Sequence, residues 1–176
     1  MSWGPAARRI SRRGAVQAAA LAALAAACVP GGRQPRVAAA ALERLAAAVR
    51  QDAYGRPVHL KPLLAGRVVL YFFRSDCPHC AAALAAAPSL ATAAGAPALV
   101  LISREGAARL RAALGPAPRS GLLVLSDSDG AVMEAAVPTR FVPRLVAVAG
   151  SAVRRDETGA DADLGRAVAE LSAGAP

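Results

Sequence analysis

From residue 36 onward the apolar residues of this chain alternate between two rhythms. Over residues 36–51, Leu42, Leu45 and Val49 recur at helical spacing while Glu43, Arg44 and Arg50 take the opposite positions, which predicts an amphipathic helix. Gly55-Arg56-Pro57 marks a turn, and Val58-His59-Leu60 a short strand. Arg67 to Phe73 then reads as a strand, uninterruptedly apolar from Val68 on, whose Val, Tyr and Phe residues favour burial on both faces. The Ala- and Leu-rich stretch from Pro78 to about Ala94, stopped by Gly95, predicts a helix. Ala98 to Ile102 is a second buried strand, residues 105–114 a short helix broken by Gly115-Pro116, and Leu122 to Leu125 a third strand. The turn-like Asp127-Ser128-Asp129-Gly130 precedes a helical turn at Ala131 to Ala136. Leu145 to Val148 and Ala152 to Arg154 form a strand pair around Gly150, and residues 161–172 a closing helix. Strands alternating with helices predict an α/β layered fold with a mixed central sheet.

The N-terminus follows a different pattern. Residues 1–13 are basic, residues 14–29 are almost wholly apolar, and Pro30-Gly31-Gly32 stops any helix. About fifteen apolar residues are short for a membrane span but suit the core of a secretory signal, with an uncleaved signal anchor as the alternative. Ser11-Arg12-Arg13 resembles a twin-Arg export signal. Leu24 to Cys28 resembles a bacterial lipobox, in which Cys28 would become the lipidated first residue, and Ala25-Ala26-Ala27 equally fits ordinary signal peptidase. The predicted organisation is an export segment at 1–28, a linker at 29–36 and one domain at 37–176.

Charge argues against a nucleic-acid partner. The net charge of +9 includes Arg8, Arg9, Arg12 and Arg13, and from Cys28 onward 17 basic and 12 acidic residues leave +5. Those arginines are dispersed, and aromatic residues, at 3% of the chain, offer almost no stacking platform. Three cysteines are an odd number for an exported chain. Lipidation of Cys28 would account for one and leave Cys77 and Cys80 as the thiols of the domain.

Those two stand in Ser75-Asp76-Cys77-Pro78-His79-Cys80, where an apolar strand gives way to a helix. Cys77, at the helix start, is read as the attacking sulfur, because unsatisfied backbone N–H groups and the helix dipole favour an anion there. Pro78 suits the first helical position, having no N–H to lose. Cys80, one turn on, is read as the more buried, resolving thiol. A protonated His79 would add a cation that favours the Cys77 thiolate, and stabilising the reduced form makes the disulfide a stronger oxidant. Asp76 would oppose this if its carboxylate faced the sulfur. Zinc or copper would need more ligands than this chain's single C-x-x-C and its one other histidine, His59, read as a surface residue. A purely structural disulfide would close a tiny loop and constrain the unfolded chain little. Neither a metal nor an organic cofactor is expected; the redox group is the Cys77–Cys80 pair itself.

Taken with Asp52 to Val58, Leu63 to Phe73, Leu125 to Gly130 and Phe141 to Gly150, the CPHC motif resembles the TlpA-like exported thioredoxin-fold proteins of the redoxin and peroxiredoxin-like superfamily, over roughly residues 50–172. The resemblance implies a thioredoxin-like fold with a β-α insertion between the dithiol helix and a cis-proline strand. It makes Pro143 the cis-proline, with Pro138 second on local sequence, and Val142-Pro143 the place where a substrate strand docks. CPHC with Val142-Pro143 is similar to the active site of DsbA-type periplasmic disulfide donors. The chain departs from thioredoxins in having Asp76 before the first cysteine, and no acidic residue in the preceding strand. Ala81, Ala82 and Ala83 stand where some TlpA-like reductants place a carboxylate. A peroxiredoxin signature would need Pro and Thr where Leu70 and Arg74 stand.

The function expected is therefore that of an exported thiol-disulfide oxidoreductase exchanging disulfides with protein substrates. Its alternatives are a TlpA-type reductant and a non-catalytic binding domain. The expected setting is extracytoplasmic, as a monomer with a membrane redox partner and a tether through lipidated Cys28.

Overall fold

The computed structural model describes Val37, residues 39–136 and residues 141–174. The predicted export segment with Cys28, the linker at 29–36 and Pro138 lie outside these residues.

The helix predicted over 36–51 divides in two. Helix α1 (Ala39–Ala47) buries Ala41, Leu42 and Leu45, and then β1 (Val49–Gln51) pairs antiparallel with β2 (Pro57–His59). Val49, counted as part of the helix's apolar stripe, lies opposite His59 and is half exposed. The turn between the strands accounts for the break. Gly55 takes a positive φ of 82°, and the buried Asp52 carboxylate accepts hydrogen bonds from the Tyr54 and Arg56 N–H groups at 2.8 and 2.9 Å. Leu60 does not extend β2; it opens a helix not foreseen from sequence, α2 (Leu60–Ala65), which buries Leu60 and Leu64 and is too short for its period to register.

The predicted strands and helices then follow in order: β3 (Arg67–Phe72), α3 (Pro78–Ala91), β4 (Ala98–Ser103), α4 (Ala107–Leu114), β5 (Leu122–Ser126), α5 (Ala131–Ala136), β6 (Arg144–Ala149), β7 (Ala152–Thr158) and α6 (Leu164–Ala173). Helix α3 ends earlier than Ala94 because the Thr92 hydroxyl donates to the Pro88 and Ser89 carbonyls. Strand β7 runs four residues past Arg154, its Arg, Asp and Glu residues being compatible with a sheet edge. Helix α6 starts at Leu164 because Asp163 caps it, accepting from the Arg166 N–H at 2.9 Å; a 3₁₀ turn, Gly159–Asp161, occupies the preceding residues.

The strands form one mixed sheet in the order β5-β4-β3-β6-β7. The first three are parallel, β6 is antiparallel to β3, and β7 is antiparallel to β6. Two strand-helix units, β4–α4 and β5–α5, separate the dithiol helix α3 from the strand that follows Pro143. Because β3 is central, both its faces are covered. Val68, Leu70 and Phe72 pack with α1, α2 and α5, while Val69, Tyr71 and Phe73 pack with α3, α4 and α6.

Strand β6 starts on a buried ion pair. Arg144 has almost no exposed surface and makes two hydrogen bonds to Asp156 of β7, at 2.9 and 2.8 Å. The same carboxylate accepts the Val37 N–H at 2.6 Å. A bidentate pair with further donors is the geometry in which burying two charges is tolerable.

Gly121 shows how closely the far end of α3 is seated. It has φ of 73°, and a Cβ there would meet the backbone oxygen of Ala91 well inside van der Waals contact. Gly121→Ala is expected to lower the stability by about 2 kcal/mol or more, combining left-handed strain with displacement of a helix end. Urea denaturation with an unchanged slope would show it as a lower midpoint.

Candidate active site

The sheet delivers the two cysteines to one of its ends. After β3, the Phe73 N–H still donates to the Ile102 carbonyl at 3.0 Å, and Arg74-Ser75-Asp76 then turns the chain into α3. Cys77 is the N-cap, with extended backbone (φ −83°, ψ 114°) and no side-chain capping bond, and Pro78 takes the first helical position. The Cys80 N–H donates to the Cys77 carbonyl at 3.0 Å, which closes the first turn. Cys77 is half-buried, Cys80 has no exposed surface, and both thiols are free. His79 and Pro78 are exposed beside them.

The loop ahead of Cys77 is held from the side. Glu105, between β4 and α4, accepts the Ser75 N–H at 3.0 Å and the Ser75 hydroxyl at 2.8 Å. Arg109 of α4 pairs with the same carboxylate at 3.0 Å and reaches the Ser75 hydroxyl at 3.2 Å. Asp76 does not stand as an uncompensated charge before Cys77. Its carboxylate takes two hydrogen bonds from the Arg74 guanidinium, at 3.0 and 2.7 Å, with Arg109 at 3.9 Å. The Arg74 hydrogen bonds hold its carboxyl below the usual range. Arg74 in turn lies close enough to Cys77 for cation and sulfur to interact. The Arg74–Asp76 pair thus borders the same depression as Cys77 as a mutually compensated unit, built on a loop residue to which sequence reasoning gave no role.

The Val142–Pro143 peptide is cis. Val142 is half-buried and Pro143 buried. Arg74, Asp76, Cys77, Pro78, Phe141 and Val142 line an open depression of about 350 Å³. The structure thus brings Cys77, Pro78 and Val142 to one groove, with Pro143 and Cys80 behind it. Phe141, at 68% exposure, adds an apolar wall that went unremarked in the sequence.

Beneath the groove the environment is apolar. Burial pushes the Cys80 thiol up to about 12, helped by its hydrogen bond to Cys77; the Arg74 backbone and the Tyr71 hydroxyl act the other way. Tyr71 of β3 is fully buried in this layer, and its own ionisation is pushed upward by burial and by both sulfurs. Strand parity could have found it: residues 69, 71 and 73 must share a face, and Phe73 leads directly to the dithiol. Among the described residues no cluster of three or more His, Cys, Asp or Glu is placed to hold a metal ion, and no helix is long and apolar enough to cross a membrane.

Solved structures of known proteins share this architecture. MTB dsbF, solved in mixed oxidized and reduced forms, matches with a TM-score of 0.59 at 22% identity, covering 77% of this chain and 98% of its own. A secreted Mycobacterium tuberculosis disulfide oxidoreductase homologous to E. coli DsbE matches at 0.56 and 25% identity, over 73% and 98% of the two chains. The pneumococcal exposed lipoprotein thioredoxin Etrx1 from Streptococcus pneumoniae matches at 0.55 and 20% identity, over 68% and 96%. No family model matches the sequence, and no curated protein matches it. The likeness establishes a thioredoxin-like fold: a mixed central sheet flanked by helices.

Two measurements probe this geometry. A thiol ionising near 9.0 when unfolded and near 12 when folded makes the native state bind more protons between those values. Its contribution to stability is therefore full below pH 9 and drains away as pH rises toward 12. Reduced wild-type chain is expected to lose stability faster above pH 9 than reduced Cys80→Ala, read by urea denaturation at a series of pH values. Glu105→Ala should cost about 2 kcal/mol by leaving the Ser75 N–H without its acceptor, with Glu105→Gln recovering part of the loss in the same assay.

Proposed function

We propose that this chain is an exported thiol-disulfide oxidoreductase that exchanges disulfides with protein clients through Cys77 and Cys80. The observation that carries the reading is the asymmetry of the pair. Cys77 is half-buried at a helix N-terminus and opens onto a groove with Val142, whereas Cys80 lies wholly enclosed behind it. Exchange needs a sulfur that partners can reach, and burying the second directs their attack to the first.

In the donating direction, a client thiolate docked along Val142-Pro143 attacks the Cys77 sulfur of the Cys77–Cys80 disulfide. The S–S bond breaks, its electron pair leaves on Cys80, and a mixed disulfide joins the client to Cys77. A second client thiolate then attacks the client sulfur of that bond. The client leaves oxidised, Cys77 departs as thiolate, and the dithiol remains, to be reoxidised by a membrane redox partner. The helix N-terminus places positive potential where Cys77 would carry charge, and a cationic His79 in the first turn would add to it, which supports the donating direction. The setting proposed is extracytoplasmic, with residues 1–28 as the export segment and a lipidated Cys28 as a tether. No bound cofactor is required by this chemistry.

Equilibration of the pair with glutathione buffers tests the direction. A reduction potential near about −120 mV is expected for a donor, and one near about −270 mV would make the chain a TlpA-type reductant instead. Cys80→Ser should trap clients as mixed disulfides on Cys77, and Cys77→Ser should abolish exchange. Full exchange activity in Cys77→Ser would overturn the assignment, and inertness of the wild-type pair would leave a binding domain.

A further inference from the structure

The Tyr71 hydroxyl is a buried donor to which the exchange chemistry above gives no task. Tyr71 has no exposed surface, and in the dithiol form its hydroxyl makes no well-formed hydrogen bond, the Cys80 sulfur being the one side-chain acceptor that acts on it. The alternation of β3 sets it in the same layer as Cys77, Cys80 and α3. Apart from burial, the groups acting on the phenol are the two sulfurs, Cys80 ahead of Cys77. Those acting on the Cys80 sulfur are Cys77, the Arg74 backbone and Tyr71. Native interiors retain few unpartnered polar atoms, so each one invites the question of what would satisfy it. A protonated thiol is a weak acceptor, while an ionised acceptor makes a hydrogen bond roughly twice as strong. The hydroxyl gains a strong partner only when Cys80 carries charge.

We propose that Tyr71 donates a hydrogen bond to the Cys80 thiolate each time that thiolate forms in exchange, a reading that rests on the dithiol chemistry above. When the Cys77–Cys80 bond opens, its electron pair arrives on Cys80 and the phenol O–H stabilises it. When the ring closes, the Cys80 thiolate attacks Cys77, the new S–S bond forms, and the partner leaves as a thiolate. The phenol keeps its proton throughout, because burial and the neighbouring sulfurs hold it protonated beyond the ordinary range. The proton that Cys80 finally takes comes from water. Tyr71 therefore serves as a fixed donor rather than as an acid.

The size of the effect follows from two opposed trends. Losing one hydrogen bond to a charged group should lower the thiolate fraction about tenfold. The remaining thiolate is more basic and hence more nucleophilic, with a Brønsted coefficient of about 0.4–0.5, so ring closure should slow only about three- to fourfold.

Tyr71→Phe removes the oxygen and keeps the ring. In the full chain, the ¹³C shift of the Cys80 Cβ is followed from pH 8 to the highest pH at which both variants stay folded, about 12.5, in Cys77→Ala with and without Tyr71→Phe. Replacing Cys77 removes its hydrogen bond and its charge, two of the three causes that raise Cys80, and so brings the midpoint lower. The expected result is a titration midpoint about one pH unit higher in the double variant. With Cys77 present, closure of the glutathione mixed disulfide should slow about three- to fourfold, while the reduction potential at pH 7 stays in place because Cys80 is protonated there. An unshifted midpoint would overturn the proposal. So would failure of Tyr71→Phe to fold, since the hydroxyl would then be structural. The titration needs no exchange activity: an inert wild-type chain with a shifted midpoint would overturn the exchange reading alone.

Discussion

The alternation of side chains along β3 is the constraint from which the site follows. A central strand buried on both faces must send successive residues to opposite layers. Val68, Leu70 and Phe72 therefore anchor the layer of α1, α2 and α5, and Val69, Tyr71 and Phe73 the layer of α3 and α6. The dithiol helix can pack only on the second set, which puts a phenol and two sulfurs into one apolar layer. A slip of one residue would exchange Tyr71 for Phe72 and leave no polar group below Cys80.

Around that axis the charged residues act mainly as fasteners. Glu105 and Arg109 hold Ser75, Arg74 holds Asp76, and Arg144 with Asp156 fixes the start of the strand after Pro143. Each pair fixes one of the two segments that border the groove, the loop before Cys77 and the cis-proline segment. The exposed pairs among them contribute little to stability by themselves; their use is geometric. The Arg144–Asp156 pair is buried and belongs to a different class, because removing either partner would strand a charge in the interior.

Most of the fold was legible in the sequence because long apolar runs and a Gly- or Pro-punctuated order carry strong periodic signals. Strands β3 to β6 and helix α3 emerged close to their final bounds. What was misread was short. Helix α2 spans too few residues for a period, and β1 is a strand only because Asp52 and Gly55 make the hairpin turn. The CPHC motif marked the sulfurs, since local spacing encodes a helix N-terminus. Tyr71, Glu105 and Phe141 stayed silent, because their roles arise from contacts with residues far along the chain or from strand parity. The one charge assigned to oppose Cys77, on Asp76, was legible as a residue but not in orientation, since nothing local required its bidentate hold on Arg74.

The enclosure of Cys80 has a kinetic consequence under the proposed function. With one reachable sulfur there is one entrance. The partner that oxidises the pair and the client that reduces it must visit the same groove by turns, and neither can bind while the other is covalently attached. Such a chain would turn over by a ping-pong scheme in which an excess of either partner inhibits the other. Throughput would then depend on the ratio of the two partners as much as on the chemistry of the thiols.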